Sequence, residues 1–222
     1  MRVEWHGHSS FTLSGASATV FVDPFGDMSG LAERGIRWEY PPIAVDGVDL
    51  LLVTHEHRDH NHVEAVAGEP ELVRSTAGSH ETVVGTVLAV ASEHDDAAGT
   101  EHGANTIVVF ELDGIRVAHF GDFGQAALRS EQREAIGAVD LLIVPVGGGL
   151  TIDGAQAAAI ARELDPSWVV PMHYRTHRIG FLDEESEFVA AMGERHRLDS
   201  PAFDTADLSR SGEPLAIIPA AP

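Results

Sequence analysis

A histidine-rich segment directly after an apolar run constrains the fold of this chain more than any other feature. The run Leu50-Leu51-Leu52-Val53 leads into Thr54-His55-Glu56-His57-Arg58-Asp59-His60, which contains the pattern H-x-H-x-D-H. Residues two apart on a helix do not face one another, so joint use of His55 and His57 requires extended or loop backbone. The pattern predicts a buried strand that ends in a ligand-bearing loop, and Asp59 is expected to cap a helix that begins near His60.

Composition limits how a metal could be held. The chain contains no cysteine, which excludes disulfides and thiolate ligands and leaves imidazole and carboxylate as metal ligands. These ligand types suit zinc first, with manganese and iron as alternatives.

The charge of the chain limits its partners. It carries 35 acidic and 14 basic residues for a net charge of −21, and every basic residue is arginine. A field of this sign repels nucleic-acid phosphate and anionic membrane surfaces, so we expect a small-molecule substrate and neither partner. With no charged-then-apolar segment at the start and no apolar stretch of about 20 residues, a cytoplasmic protein is expected. A homo-oligomer is left open.

Alternating apolar segments and turn residues predict an α/β protein with a single domain over residues 1–222. Predicted strands cover residues 2–6, 10–13, 19–22, 50–54, 72–75, 86–91, 106–111, 115–120, 141–146, 168–171 and 215–218. Predicted helices cover residues 62–67, 130–136, 153–163 and 184–194, the third of them capped by Asp153. Asp113-Gly114 between two strands is a strong hairpin signal. Residues 24–46 show no clear period, as is typical of lids and binding loops.

Three more potential ligands follow predicted strands: His94, Asp122 and His173. Each alone is weak evidence, because single polar residues at strand ends are often caps or surface residues. Their shared position at strand ends, downstream of the H-x-H-x-D-H segment, favours one composite site.

The order of these motifs resembles the metallo-β-lactamase fold superfamily, and in particular its small metal-dependent hydrolases related to ascorbate-6-phosphate lactonase. The further segments that carry the resemblance are Trp5-His6-Gly7-His8-Ser9-Ser10-Phe11, Val22-Asp23-Pro24-Phe25, Gly103-Ala104-Asn105-Thr106-Ile107, Ala118-His119-Phe120-Gly121-Asp122-Phe123-Gly124, Val144-Pro145-Val146-Gly147-Gly148 and Pro171-Met172-His173-Tyr174. The fold implied is a four-layer αβ/βα sandwich with two mixed β-sheets and helices outside.

The resemblance also implies two metal ions. His55, His57 and His94 are expected at the first, with His102 as the competitor of His94. The second is expected to be held by Asp59, His60 and His173, and Asp122 is expected to bridge both. A hydroxide between the ions would attack a small ester, lactone or phosphoester. The alternatives are a phosphodiesterase for cyclic-nucleotide-type substrates and a non-catalytic metal-binding protein.

Other residues have less certain parts in this interpretation. Besides Asp59, the residue expected to act in catalysis is His8, as a substrate contact or proton donor, unless it is a hydrogen-bonded structural histidine. Asp23 could orient a ligand histidine, and Arg175 and His177 could bind an anionic substrate group. His119 is expected to be structural.

Overall fold

Two β-sheets face each other in the computed structural model, which describes residues 1–210 and 212–222. The strands are β1 (Arg2–Gly7), β2 (Ser10–Ser14), β3 (Thr19–Val22), β4 (Leu50–Val53), β5 (Glu71–Arg74), β6 (Gly78–Thr82), β7 (Gly85–Glu93), β8 (Ala104–Leu112), β9 (Ile115–His119), β10 (Leu141–Pro145), β11 (Trp168–Met172), β12 (Arg195–Arg197), β13 (Ala202–Asp204) and β14 (Leu215–Ile218). The α-helices are α1 (Ser130–Ile136), α2 (Gly154–Leu164) and α3 (Ser186–Met192), and 3-10 helices cover Ser29–Arg34, Val63–Ala65 and Thr205–Asp207.

Both sheets are mixed. Within the described residues the first sheet has the order β13-β1-β2-β3-β4-β5 and the second the order β12-β14-β11-β10-β9-β8-β7-β6. In the first, β3, β4 and β5 are parallel neighbours; in the second, β9, β10, β11, β14 and β12 are parallel neighbours. The predicted sandwich with two mixed sheets and flanking helices is confirmed.

The core follows from the alternation of side chains along the strands. Leu50 and Leu52 of β4 face the large apolar cluster shared by both sheets, whereas Leu51 joins a smaller cluster on the opposite face. Residues from the 24–48 segment, among them Phe25 and Trp38, complete that smaller cluster. The first sheet is thus covered by 3-10 and extended segments, while α1, α2 and α3 pack against the second sheet and each other.

The predicted strands are all present, with ends that agree to within two residues. Asp113 and Gly114 both have positive φ, 53° and 72°, as a two-residue hairpin turn between β8 and β9 requires. The strands β6, β12 and β13 were not predicted. Each lies at an edge of its sheet and is short or mostly exposed, so its sequence lacks the apolar alternation that burial imposes.

The helix predictions were correct in part. Asp153 caps α2 through a hydrogen bond from the Gln156 backbone N–H at 2.8 Å. The helix predicted for residues 62–67 is only the 3-10 turn Val63–Ala65, and the prediction that Asp59 caps a helix there is wrong. Residues 57–60 instead form a turn closed by the His60 N–H and the His57 carbonyl at 3.0 Å.

Two predictions concern the chain as a whole. No helix among residues 1–210 and 212–222 is long and apolar enough to cross a membrane. The single-domain organisation of residues 1–222 stays a prediction.

Candidate metal centre

The candidate site lies where several strands end on one side of the sandwich. The loop with His55, His57, Asp59 and His60 follows β4, and the other contributors are His94 after β7, Asp122 after β9 and His173 after β11. The turn between β1 and β2 adds His8, and Asp23 follows β3. The fold therefore brings together all seven predicted ligand positions from four separate parts of the chain.

The Asp122 carboxylate is at the centre of this cluster. Its Oδ2 lies 3.0 Å from Nε2 of His94, 3.2 Å from Nε2 of His60 and of His173, and 3.8 Å from Nε2 of His55. Asp122 is only 2% exposed, so it is buried although it follows the end of β9. One buried oxygen is thus surrounded by four imidazole nitrogens.

The potential ligand atoms fall into separate groups. His55, His57 and His94 form one group and His8, His60, Asp122 and His173 another, with the ligand atoms of each group within 4.8 Å of one another. A third combination, Asp23 with His55 and His60, overlaps both. The grouping differs from the two expected subsites in two respects: His8 appears where Asp59 was expected, and Asp122, expected at both subsites, falls only in the second group.

Asp59 and His8 contact each other directly. Oδ2 of Asp59 lies 3.1 Å from Nε2 of His8 and 4.0 Å from Nε2 of His60. His8 is 1% exposed, whereas the side chain of Asp59 is 24% exposed. The structure thus favours the alternative of a hydrogen-bonded His8 over direct contact between His8 and substrate.

The first group contains His94 and not its competitor. His102 lies next to His94, with their ring centroids 5.5 Å apart, and it lines one cleft together with His94 and another together with His55 and His57. Its position borders the cluster, while the ring of His94 points Nε2 at Asp122. The assignment of His94 as the ligand stays a prediction, and the geometry favours it.

Hydrogen bonds on the outer ring nitrogens orient three of the histidines. Nδ1 of His60 lies 3.0 Å from the Asp23 carboxylate, Nδ1 of His94 lies 2.9 Å from the Leu150 carbonyl, and Nδ1 of His55 lies 3.0 Å from Thr54 Oγ1. Such partners fix a ring so that its other nitrogen faces a metal. The suggested orienting role of Asp23 fits this arrangement.

The residues of the cluster fit metal ions. Nε2 of His55 and of His60 are buried and make no hydrogen bond within the described residues, although both face the Asp122 carboxylate. Buried polar atoms without partners are rare in folded proteins because they lose their hydration without replacement. Imidazole nitrogens and carboxylates that converge in this way are the donor set of zinc, manganese and iron sites.

Protons partly balance the charge of the metal-free cluster. Burial opposes ionisation of Asp122, but His173 and His60 lower the pKa of its carboxyl well below the usual value. Burial disfavours the charged form of His60 too, yet Asp122 raises its pKa well above the usual value. Burial and the neighbouring His60 lower the pKa of His55 well below normal, so this ring is neutral at pH 7, the form in which imidazole can bind a metal.

Backbone strain is concentrated at the site. His8, Asp23 and His173 adopt left-handed φ values of 53°, 51° and 52°, which are uncommon for residues other than glycine. The His173 N–H also donates to the His8 carbonyl at 3.2 Å. Such strain persists where the surrounding structure overdetermines the backbone, as it often does at functional sites.

Two of the less certain predictions have different outcomes. His119 is structural, as expected: Nε2 lies 2.9 Å from the Ser9 carbonyl and Nδ1 accepts the Gly121 N–H at 3.2 Å. Arg175 and His177 are exposed and line a separate groove with Arg197 and the C-terminal segment. That groove includes none of the clustered residues, and binding of an anionic substrate group by Arg175 and His177 stays a prediction.

The 24–48 segment forms a wall beside the cluster. Trp38 is 9% exposed and its ring lies 4.9 Å from that of His8. The segment is joined to the loop after His173 by the Glu39 N–H, which donates to the Arg178 carbonyl at 2.8 Å, and by Tyr40, whose hydroxyl lies 2.8 Å from Thr176 Oγ1. Sequence reasoning found this segment but not its contact with His8, because 30 residues separate the two.

Comparison with known proteins agrees with this geometry. A family model described as a beta-lactamase superfamily domain matches residues 2–173. The chain belongs to the metallo-β-lactamase superfamily. Within the superfamily it is 29% identical over 207 residues to a UPF0173 metal-dependent hydrolase of Nitratidesulfovibrio vulgaris, covering 79% of this chain and 80% of that protein. A metal-dependent hydrolase of the same name from Thermococcus kodakarensis is 29% identical over 222 residues, covering 88% of this chain and 93% of the relative.

A solved structure supports the fold of this superfamily member. The crystal structure of a candidate zinc-dependent hydrolase of the metallo-β-lactamase superfamily from Thermotoga maritima matches with a TM-score of 0.77 at 27% identity. The match covers 99% of each chain. The sandwich and the loops that carry the histidine cluster thus belong to a fold shared over nearly the whole length.

Proposed function

We propose that the protein is a metal-dependent hydrolase that uses two metal ions to cleave a small ester, lactone or phosphoester. The observation that carries this proposal is the buried Asp122 Oδ2, which has imidazoles from both ligand groups within 3.8 Å. A carboxylate in that position can bridge two cations, which supports a dinuclear site. The names of the relatives, metal-dependent hydrolases, agree with this class of reaction.

The two ligand groups suggest which residues would hold each ion. His55, His57 and His94 would hold the first, His60 and His173 the second together with Asp59, and Asp122 would contact both. When bound, two such ions lower the pKa of a shared water and polarise the oxygen of the scissile group. By ligand type, zinc is our first choice, with manganese and iron as alternatives.

His8 would act through Asp59 and not on the substrate. Burial, followed by the nearby His173, lowers the pKa of His8 to about 4, so the ring is neutral at pH 7. Asp59 is ionised there, because its neighbours His60 and His8 outweigh burial and lower the pKa of its carboxyl. His8 therefore donates its Nε2–H to the Asp59 carboxylate, which holds that carboxylate in one orientation at the rim of the cluster.

An anionic substrate is compatible with the loop that carries the ligands. Arg58 is exposed at the corner of the turn closed by His57 and His60. In the described part of the chain its guanidinium has no ion-pair or hydrogen-bond partner, although the chain contains 35 acidic residues. A guanidinium without a partner can bind a carboxylate or phosphate. Arg58 therefore favours small phosphodiesters as the second candidate substrate class.

The test is a comparison of substrate classes by metal-loaded protein. Wild type reconstituted with zinc, manganese or iron would be assayed on chromogenic esters, lactones and bis(p-nitrophenyl) phosphate. We expect turnover of at least one class that a chelator abolishes and added metal restores. The variant His57→Ala should lose it, whereas His196→Ala, which alters an exposed histidine of β12, should not. Full metal content with no turnover of any class would instead favour a non-catalytic metal-binding protein.

A further inference from the structure

Residues 54–60, which carry four of the candidate ligands, are called the metal loop below. Glu56 lies between His55 and His57 in this loop, and its side chain is bound by residues outside the histidine cluster. The Glu56 carboxylate accepts two parallel hydrogen bonds from Arg74, Nε to Oε1 at 2.9 Å and Nη2 to Oε2 at 2.7 Å. Ser75 Oγ donates to Oε1 at 2.6 Å and Asn61 Nδ2 donates to Oε2 at 3.1 Å. We call these four residues, Glu56, Asn61, Arg74 and Ser75, the Glu56 clamp.

The clamp connects the metal loop to the end of the neighbouring strand. Arg74 is the last residue of β5, and it is paired in register with Val53, the last residue of β4. The Ser75 N–H donates to the Val53 carbonyl at 2.8 Å. Asn61, beyond the last ligand of the loop, also donates to the Glu56 backbone carbonyl at 3.2 Å. The loop is therefore anchored in its middle to β5 and closed onto its own far end.

The position of Glu56 between two candidate ligands explains what this anchor does. The Glu56 side chain binds Arg74, whereas the ring of His57 lies 4.7 Å from that of His55 and 4.9 Å from that of His94, so a fixed Glu56 limits rotation of the backbone that carries both neighbouring rings. His55 has a further anchor in Thr54 Oγ1. The ring of His57 makes no hydrogen bond in the part of the chain that the structure describes, and His57 is exposed. Its orientation therefore depends on its backbone and on the ring contacts with His55 and His94.

We propose that the Glu56 clamp is a positioning device that sets the metal affinity of the His55, His57 and His94 subsite by holding His57 in place. The inference rests on the two-ion site proposed above. The side chains of Glu56 and Arg74 make no contact with His60 or His173 of the other subsite, and Asn61, which follows His60, keeps its hydrogen bond to the Glu56 backbone carbonyl when the Glu56 side chain is changed. Loss of the clamp should therefore weaken one ion and spare the other.

The clamp is separable from global stability. The side chains of Glu56 and Arg74 are 50% and 39% exposed, and exposed ion pairs contribute little to folding because water screens them. Variants of the clamp should fold normally, so a change in metal binding would not reflect unfolding. A merely structural ion pair would leave both metal affinities unchanged.

The experiment measures the two metal affinities by competition with a chromogenic zinc chelator in wild type, Arg74→Ala and Glu56→Gln. We expect one of two affinities to fall by about 10-fold or more, as when partners that orient ligands are removed, and the other to stay within about 3-fold. Arg74→Lys should give an intermediate loss, because lysine keeps the charge but not the paired hydrogen bonds. The control is Arg197→Ala, which removes an exposed ion pair with Glu185 at 2.9 Å away from the cluster and should change neither affinity.

A second readout needs no metal. Long-range ¹H–¹⁵N spectra of the imidazoles in the metal-free protein should show altered His57 signals in Arg74→Ala and unchanged signals of His60 and His173. The proposed positioning role of the clamp is contradicted if both metal affinities fall together, or if neither a metal affinity nor the His57 signals change. Failure of the two-ion proposal looks different: wild type itself would then bind fewer than two ions, and the metal-free spectra would still decide whether the clamp positions His57.

Discussion

At the scale of single residues, protons and metal ions are expected to compete for the histidines around Asp122. Its carboxylate faces His60 and His94, whose pKa values it raises against the effect of burial. In the metal-free protein this shift favours the protonated, positively charged form of both imidazoles. Protons offset the negative charge of the carboxylates in the metal-free site, and metal ions would offset it when bound. Metal affinity therefore depends on pH.

Replacement of Asp122 by asparagine tests the bridging role. Asp122→Asn keeps the size of the side chain and removes the charge between the two groups. We expect a folded protein whose metal content falls toward one ion and whose turnover, on any substrate found for wild type, falls by about 100-fold or more. Because Asp122 is buried among imidazoles, the metal-free variant should also have a lower melting temperature. Two retained ions and near-normal turnover would make Asp122 a structural residue.

The two candidate histidines are distinguished by a matched pair of variants. His94→Ala removes a ring whose Nε2 lies 3.0 Å from Asp122 Oδ2, and His102→Ala removes a ring at the border of the cluster. The first should lower zinc affinity by about 10-fold or more and the second should leave it nearly unchanged. Equilibrium competition with a chelator measures both, and the reverse ranking would move the ligand assignment to His102.

The pH dependence of metal binding follows from the raised pKa values. His60 and His94 are protonated more readily than free imidazole, so a proton competes with the metal at each ring. Affinity should therefore rise with pH as these protons dissociate and fall as the pH drops. Calorimetry at pH 7 in buffers of different ionisation enthalpy should show that zinc binding releases at least one proton. Binding without proton release would contradict the ionisation states described for the cluster.

At the scale of secondary-structure elements, the site depends on close contact between strand ends. Gly147 follows β10, and a Cβ atom there would lie 2.1 Å from the carbonyl oxygen of His173. Only glycine allows β11 to deliver His173 at this distance, because real Cβ atoms do not approach so closely. The parallel pairing of β10 and β11 thus fixes the position of the candidate ligand His173 through backbone packing.

A substitution at Gly147 tests this element-scale dependence. Gly147→Ala should displace the end of β11, lower the free energy of unfolding by about 1–3 kcal/mol, and weaken metal binding at the His60 and His173 subsite. The control Gly30→Ala adds a methyl group where no atom lies within 4 Å and should be tolerated. Urea denaturation and zinc competition measure the two effects. Equal behaviour of both variants would show that the contact can relax.

Elements that are buried on one or both faces could be predicted from the sequence, and edge elements could not. β4 and β10 are apolar throughout because both faces are covered, whereas β12 has three exposed residues and no apolar pattern. The helix predicted after Asp59 failed because the Asp59 carboxylate contacts His8 and does not cap a helix. A local capping rule cannot anticipate a partner 51 residues away.

The same limit applies to the candidate site. Local spacing in the H-x-H-x-D-H segment and the position of His94, Asp122 and His173 at strand ends pointed to the clustered residues. The resemblance to the superfamily supplied their expected division between two ions. Glu56 could not be given its role in this way, because its main partner, Arg74, is 18 residues distant and carries no sequence signature. Contacts between loops become visible only when the register of β4 and β5 is known.

At the scale of the whole molecule, the net negative charge and the local positive charge of Arg58 act over different distances. The net charge of −21 disfavours polymeric anions at long range, while the free Arg58 lies in the metal loop itself. Charges that are closer together than the screening length of about 8–10 Å at physiological salt still attract or repel one another, so Arg58 would attract an anionic substrate that approaches the loop of residues 54–60. The two features together fit a small-molecule hydrolase better than a nuclease.

The most direct test of the two-ion site is the metal content of the wild-type protein. Purified protein would be stripped with chelator, reconstituted with zinc, manganese or iron, freed of unbound metal by gel filtration and measured by elemental analysis. The arrangement of both ligand groups around Asp122 predicts about two ions per chain for at least one of these metals, with a clear loss in His57→Ala. A wild-type protein that retains at most one ion under all three conditions would contradict the dinuclear site.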